Sequence, residues 1–195
     1  KALAEQRPAW LLDIVPAFAT LALRIDLDAA FAAKNPLDHA RAWVQERLER
    51  DADEIRASNF KTHLIEVEYG GECGPDLEAL AERAGISTKQ VIKRHTQCIY
   101  QVGMLGFAAG FPYLIGLHPS LASPRHATPR IEVLAGSVGI GGEQTGIYPR
   151  TGPGGWQIIG RTRQVLFDVG RSPPALLAPG DRVQFLAINT PESSA

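Results

Sequence analysis

Residues 136–160 read GSVGIGGEQTGIYPRTGPGGWQIIG, and residues 106–117 read GFAAGFPYLIGL. Glycine at this density marks backbone held where a side chain would obstruct either a ligand or another strand. Around these stretches lie short runs rich in β-branched and aromatic residues, RIEVLA, TGIY, WQIIG, VLFDV and RVQFLAI, broken by Gly and Pro. From about Tyr100 onward, that pattern predicts a β-barrel or a sandwich.

Upstream, the pattern is different. WLLDIVPA and FATLALRID read as strands, and KTHLIEVEY alternates with period two. Between them a helix is expected, with Asn35 as its cap, Pro36 at its first position, and Leu37, Ala40, Val44 and Leu48 along one face beside Trp43. The opening KALAEQRP resembles the end of a helix, so an earlier strand would complete a βαββαβ unit. Past Gly70 and Gly71, Pro75 starts a second helix with an apolar stripe of Leu77, Leu80, Ala81 and Ala84, which Gly85 ends. Ser87 and Gln90 then form a capping box for a third helix through about Thr96.

Composition narrows the function. The chain has 195 residues, 45% of them hydrophobic and 21% charged, and a formal net charge of -1. That is the composition of a globular protein without the basic footprint of a nucleic-acid binder. No apolar run approaches the roughly 20 residues that cross a bilayer, and no signal segment opens the chain, so a cytoplasmic location is expected. Cys73 and Cys98 lie outside any Cys-x-x-Cys spacing and are expected to be small buried hydrophobes, without a structural zinc or a disulfide.

Several motifs dissolve on inspection. LAERAGISTKQVIKRH imitates a helix-turn-helix, but Arg94 stands where that motif keeps an apolar residue, and a plain helical connector is the better reading. Gly139, Gly141 and Gly142 do not have nucleotide-loop spacing, and no GK[ST] occurs. AGSVG at 135–139 imitates a nucleophile elbow without the helix that must follow, so Ser137 reads as a turn or strand residue. The five histidines contain no i, i+4 pair, so no metal site is expected; His118 and His126 read as surface loop residues. Glu66 and Glu68 read as the solvated face of a strand.

Arg125, Arg130, Gln144, Tyr148 and Trp156 carry more meaning together. Guanidinium forks bind carboxylate or phosphate, a glutamine orients, and aromatic walls exclude water around a small planar ligand. They would line one barrel mouth, or else the aromatics are core and the arginines are surface.

HTQCIYQVGMLGFAAGFPYLIGL, the PR pairs at 124–125 and 129–130, AGSVGIGGEQTGIYP, GPGGWQIIGRT, LFD and LLAPGDRVQF occur in fixed order. Together they strongly resemble the 5-oxoprolinase family, and within it the B subunit, from about Trp10 to Ile188. The same family is known as allophanate hydrolase subunit 1, as an inhibitor of a sporulation histidine kinase, and as subdomains C and D of a carboxyltransferase domain. This chain departs from its GFxPGFPYLxGL pattern at Ala109, where the family has proline, and carries His118 where Asp or Pro is common. Family members also open with a strand ahead of the point where Lys1 stands.

The resemblance implies a ferredoxin-like N-terminal domain at 1–71, without its first strand, and a cyclophilin-like β-barrel with a helical lead-in at 72–190. It implies ATP-dependent opening of 5-oxoproline, a small carboxylated amide, to glutamate together with A-like and C-like subunits. The ATP site would be shared with those partners. Allophanate hydrolysis, or inhibition of a sensor kinase by docking on its dimerisation helix, are the other activities it implies. Arg125, Arg130, Gln144 and Thr145 are then expected to hold carboxylate or phosphate oxygens, and Tyr113, Tyr148 and Trp156 to wall the cleft. His95, in a matching segment, is the expected acid or base.

Overall fold

The computed structural model describes residues 7–17, 19–30, 35–50 and 60–188. The chain forms two compact units, one ending at Asn59 and one beginning at Phe60. In the first, β1 (Leu11–Pro16) pairs antiparallel with β2 (Leu21–Ile25), and α1 (Leu27–Ala30) and α2 (Pro36–Arg50) follow. Asn35 caps α2 by accepting the Asp38 amide through its side chain at 3.4 Å. Trp10, Leu11 and Ala40 form a small core, with Trp43 set edge-on to Trp10 at 5.7 Å. Leu37 and Leu48, expected on the buried face of α2, are exposed: among the described residues, the two-stranded sheet leaves both ends of that face uncovered. The helix end expected at KALAEQRP lies largely outside the described residues.

The strand KTHLIEVEY forms, as β3 (Thr62–Tyr69), but it does not belong to the N-terminal unit. It runs parallel to β11 (Arg182–Ile188), in register from Thr62 opposite Arg182 to Glu68 opposite Ile188. The expected boundary at residue 71 therefore falls too late, because the partner of this strand stands about 120 positions away and local patterning carries no trace of it. Ile65, Val67 and Tyr69 point into the barrel while Leu64 and Glu66 face out, as period-two alternation requires.

The other barrel strands are β4 (Tyr100–Leu105), β5 (Pro112–Ile115), β7 (Ser137–Gly141), β8 (Gln144–Ile147) and β10 (Gln157–Arg161). With β3 and β11 they close a seven-stranded barrel in the order β10-β3-β11-β4-β5-β8-β7, where β7 also pairs with β10. A separate ribbon pairs β6 (Arg130–Val133) with β9 (Gly152–Gly154). Closure removes unpaired sheet edges, and Tyr100, Val102, Leu114, Ile140, Ile147, Val183 and Phe185 fill the interior. VLFDV, expected as a strand, contributes only an isolated bridge between Phe167 and Ala175.

Two helices lie against the barrel. α3 (Leu77–Ala84) buries Leu77, Leu80 and Ala81 and ends at Gly85 in the left-handed region, φ 64°. α4 (Thr88–Gln97) begins with the expected capping box of Ser87 and Gln90 and buries Val91, Ile92 and His95. Arg94, the residue that spoils the helix-turn-helix pattern, donates to the Ser120 hydroxyl at 2.6 Å. Cys73 and Cys98 are half-buried rather than fully buried, Cys73 accepting from Arg161 at 3.4 Å. Among the described residues, no helix is long and apolar enough to cross a membrane.

Candidate functional site

A cleft of about 140 Å³ opens on the barrel, lined by Phe107, Phe111, Tyr113, Arg125, His126, Pro129, Tyr148, Gly154, Gly155 and Trp156. Its walls are aromatic. Phe111 meets Tyr113, Tyr148 and Trp156 edge-to-face at 4.9, 5.3 and 5.4 Å, an arrangement that aligns ring edges with ring faces. Phe107 extends the cluster at the rim, 65% exposed and at φ 67°, a conformation costly for a residue with a side chain. Such strain persists where the surrounding structure holds it, and it is concentrated at functional sites.

The glycine-rich strands make room for these rings. A Cβ on Gly141 would stand 2.7 Å from three Trp156 ring atoms, one on Gly139 3.1 Å from the Trp156 Cβ, and one on Gly146 3.0 Å from Phe111. On β9, Gly154 admits the Tyr148 ring in the same way. The obstruction that the sequence implied is thus an aromatic ring of the chain itself. Burial lifts the Tyr148 hydroxyl above its ordinary pKa, against the Trp156 backbone hydrogen bond and the nearby Arg125 charge, so it stays a neutral donor.

Arg125 lies exposed over Trp156, its guanidinium carbon 5.6 Å from the ring centroid. Among the described residues, no carboxylate pairs with it. Arg130 differs. Its Nη2 donates to Asp76 Oδ1 at 2.7 Å and its Nη1 to His126 Nε2 at 2.9 Å, and it is not among the residues that line the cleft. Asp76 precedes α3 yet makes no side-chain cap; its Oδ2 accepts the Ile158 amide at 2.6 Å. Burial opposes ionisation of Asp76, but its hydrogen-bonding neighbours, Arg130 and the Ile158 amide foremost, together with the Arg130 charge, hold the carboxyl below its ordinary range.

His95 is corrected. It is fully buried inside the barrel, stacked on Phe185 at 4.6 Å. Thr145 donates to the Gly139 carbonyl at 2.9 Å, so its hydroxyl oxygen accepts from His95 Nε2 at 3.0 Å. Tyr69 then donates to Nδ1 at 2.7 Å. Both ring nitrogens are satisfied and desolvation pushes the pKa down to about 3. A neutral imidazole without access to solvent cannot exchange protons with a ligand in the cleft, and Thr145, its fully buried partner, cannot bind oxygens there. Gln144 opens β8 opposite Gly141 and is not among the cleft residues. The cleft therefore gathers Tyr113, Arg125, Tyr148 and Trp156 of the expected set, with Arg130 behind it. Asp76 and His126 were not picked out from the sequence: His126 read as a surface loop residue, and Asp76 lay unremarked beside Pro75.

The arrangement resolves into a family. The family model described as "Carboxyltransferase domain, subdomain C and D" matches residues 1–177, and the chain belongs to that family. Curated relatives, each named as the B subunit of 5-oxoprolinase, agree: the Bacillus subtilis protein is 42% identical over 190 residues, covering 95% of this chain and 79% of that one. The Haemophilus influenzae protein is 51% identical over 143 residues, covering 72% of this chain and 67% of that one. Among solved structures, a conserved uncharacterized protein of Pyrococcus horikoshii superposes with a TM-score of 0.64 at 40% identity, covering 96% of this chain and 83% of that one. The Kluyveromyces lactis urea carboxylase superposes with a TM-score of 0.66 at 17% identity, covering 96% of this chain and 19% of that one; at this identity the likeness shows the fold alone.

Proposed function

We propose that this chain is the B subunit of a 5-oxoprolinase, working with A-like and C-like subunits in the cytoplasm to open 5-oxoproline to glutamate with consumption of ATP. The observation that carries this reading is the 42% identity over 190 residues to the Bacillus subtilis relative named as that subunit. The cleft supports it. Arg125 offers a charged fork for the substrate carboxylate, and Tyr113, Tyr148 and Trp156 wall a small planar ring. In the same reading the barrel is of the cyclophilin-like kind, and β1, β2 and α2 are part of a ferredoxin-like domain.

The cleft does not fit ATP. Its volume of about 140 Å³ is below the roughly 300 Å³ at which pockets for larger ligands begin. Of the glycines at 139, 141 and 142, two already lie against Trp156: Gly139 and Gly141. The nucleotide site in this reading is completed by the partner subunits, and no step through ATP is assigned to these residues.

The test is ATP-dependent glutamate release from 5-oxoproline by the full-length chain, alone and mixed with A-like and C-like subunits. Release that requires all three supports the reading. No release from a folded, assembled mixture would end it.

A further inference from the structure

Resting on the proposed function and deepening it, the geometry points to His126 as a ligand-binding donor: Arg130 holds it in the Nδ1–H tautomer, so that with Arg125 it selects a small ring-bearing carboxylate.

His126 lines the cleft, and its Nε2 has two close neighbours, Arg130 Nη1 at 2.9 Å and Asp76 Oδ2 at 3.3 Å. Guanidinium nitrogens only donate and the Asp76 carboxylate only accepts, so the two contacts ask opposite things of Nε2; Asp76 Oδ2 already takes the Ile158 amide at 2.6 Å, and the shorter Arg130 contact sets Nε2 as the acceptor. A neutral imidazole that accepts at Nε2 carries its proton on Nδ1. Arg130 cannot turn away, because its other nitrogen is tied to Asp76, which is itself fastened to β10 by the Ile158 amide. The His126 backbone is fixed too: its amide donates to the Gly155 carbonyl at 2.7 Å. Among the described residues, nothing accepts from Nδ1.

Arg125 and His126 are consecutive residues that both line the cleft, and by this inference the cleft has two donors, a charged fork on Arg125 and a neutral N–H on His126. No carboxylate is present among the lining residues. That set favours an anion, while the aromatic walls favour a flat ring. Arg130 is a positioning residue, with no ligand contact of its own.

The tautomer is measured first, by ¹⁵N NMR of histidine-labelled full chain, with the His126 signals assigned through the His126→Asn variant. The expected spectrum has Nδ1 protonated and Nε2 bare, and 5-oxoproline shifts Nδ1 while the uncharged lactam 2-pyrrolidinone does not. A proton on Nε2 overturns the inference. Binding of 5-oxoproline, to the chain alone and in the assembled complex, is measured second. Asparagine places an amide N–H near the Nδ1 position and should hold affinity within about threefold, whereas His126→Gln should lose about tenfold. Equal affinity of the two variants also overturns it. If another cyclic carboxylate, pyrrole-2-carboxylate, shifts Nδ1 and 5-oxoproline does not, the inference stands and the proposed substrate falls. If neither shifts it, the inference falls, while glutamate release by the complex judges the proposed function separately.

Discussion

Arg130 Nη2 lies 2.7 Å from Asp76 Oδ1, joining the ribbon strand β6 to the residue that precedes α3. Asp76 also accepts the Ile158 amide, so its removal leaves a buried donor without a partner. Asp76→Ala is expected to cost about 2–3 kcal/mol in urea unfolding at neutral pH. Because the folded pKa of Asp76 is depressed below its ordinary 3.8, its contribution is complete above that pH and is lost as pH falls through the lower folded value. The gap between wild type and Asp76→Asn should therefore narrow on acidification below about pH 3.8.

His95 makes the opposite point about a titratable group. Its folded pKa of about 3 lies below the ordinary 6.5, so the unfolded chain binds the extra proton between those values. Stability from this residue is present above pH 6.5 and is lost as pH falls toward 3, at about 1.4 kcal/mol per pH unit. Unfolding free energies measured from about pH 7 to about pH 4 should show this slope in wild type and a shallower one in His95→Gln. An assembled enzyme carrying His95→Gln should track loss of folded protein, without a selective change in the pH profile of turnover.

Gly141 faces the Trp156 ring so closely that even a methyl group forces movement. Gly141→Ala is expected to destabilise by about 1–3 kcal/mol and to disturb the cleft wall. Thermal unfolding and near-UV circular dichroism would check both effects.

Phe107 separates stability from function. Glycine at this position relieves the φ 67° strain but gives up the edge contacts of the ring with Phe111 and Tyr148, so Phe107→Gly should stay within about 1 kcal/mol of wild type. Turnover of 5-oxoproline by the assembled enzyme should nevertheless fall. Urea unfolding and a steady-state assay on the same preparation check the pair.

Much of this was legible in the chain because it depended on neighbours in sequence. The Ser87 and Gln90 capping box, the left-handed Gly85 and the alternation of β3 each use residues a few positions apart. What was not legible depended on distant partners. The sequence placed β3 in the wrong unit because β11 supplies its register, and it made His95 an acid or base because burial against Phe185 leaves no mark on residues 88–97. Arg130 and Arg125 look alike as PR pairs; only the fold puts Asp76 beside one and Trp156 beneath the other.

In the proposed function, the aromatic cleft beside Arg125 receives the carboxylate of 5-oxoproline. This is tested most directly by kcat/KM for 5-oxoproline in the reconstituted complex, with wild type compared against Arg125→Gln. Arg125 is exposed and makes no ion pair among the described residues, so the variant should fold and assemble normally. A loss of about tenfold or more, with unfolding unchanged, is the predicted result. An unchanged kcat/KM in an intact complex would mean that Arg125 does not hold the carboxylate.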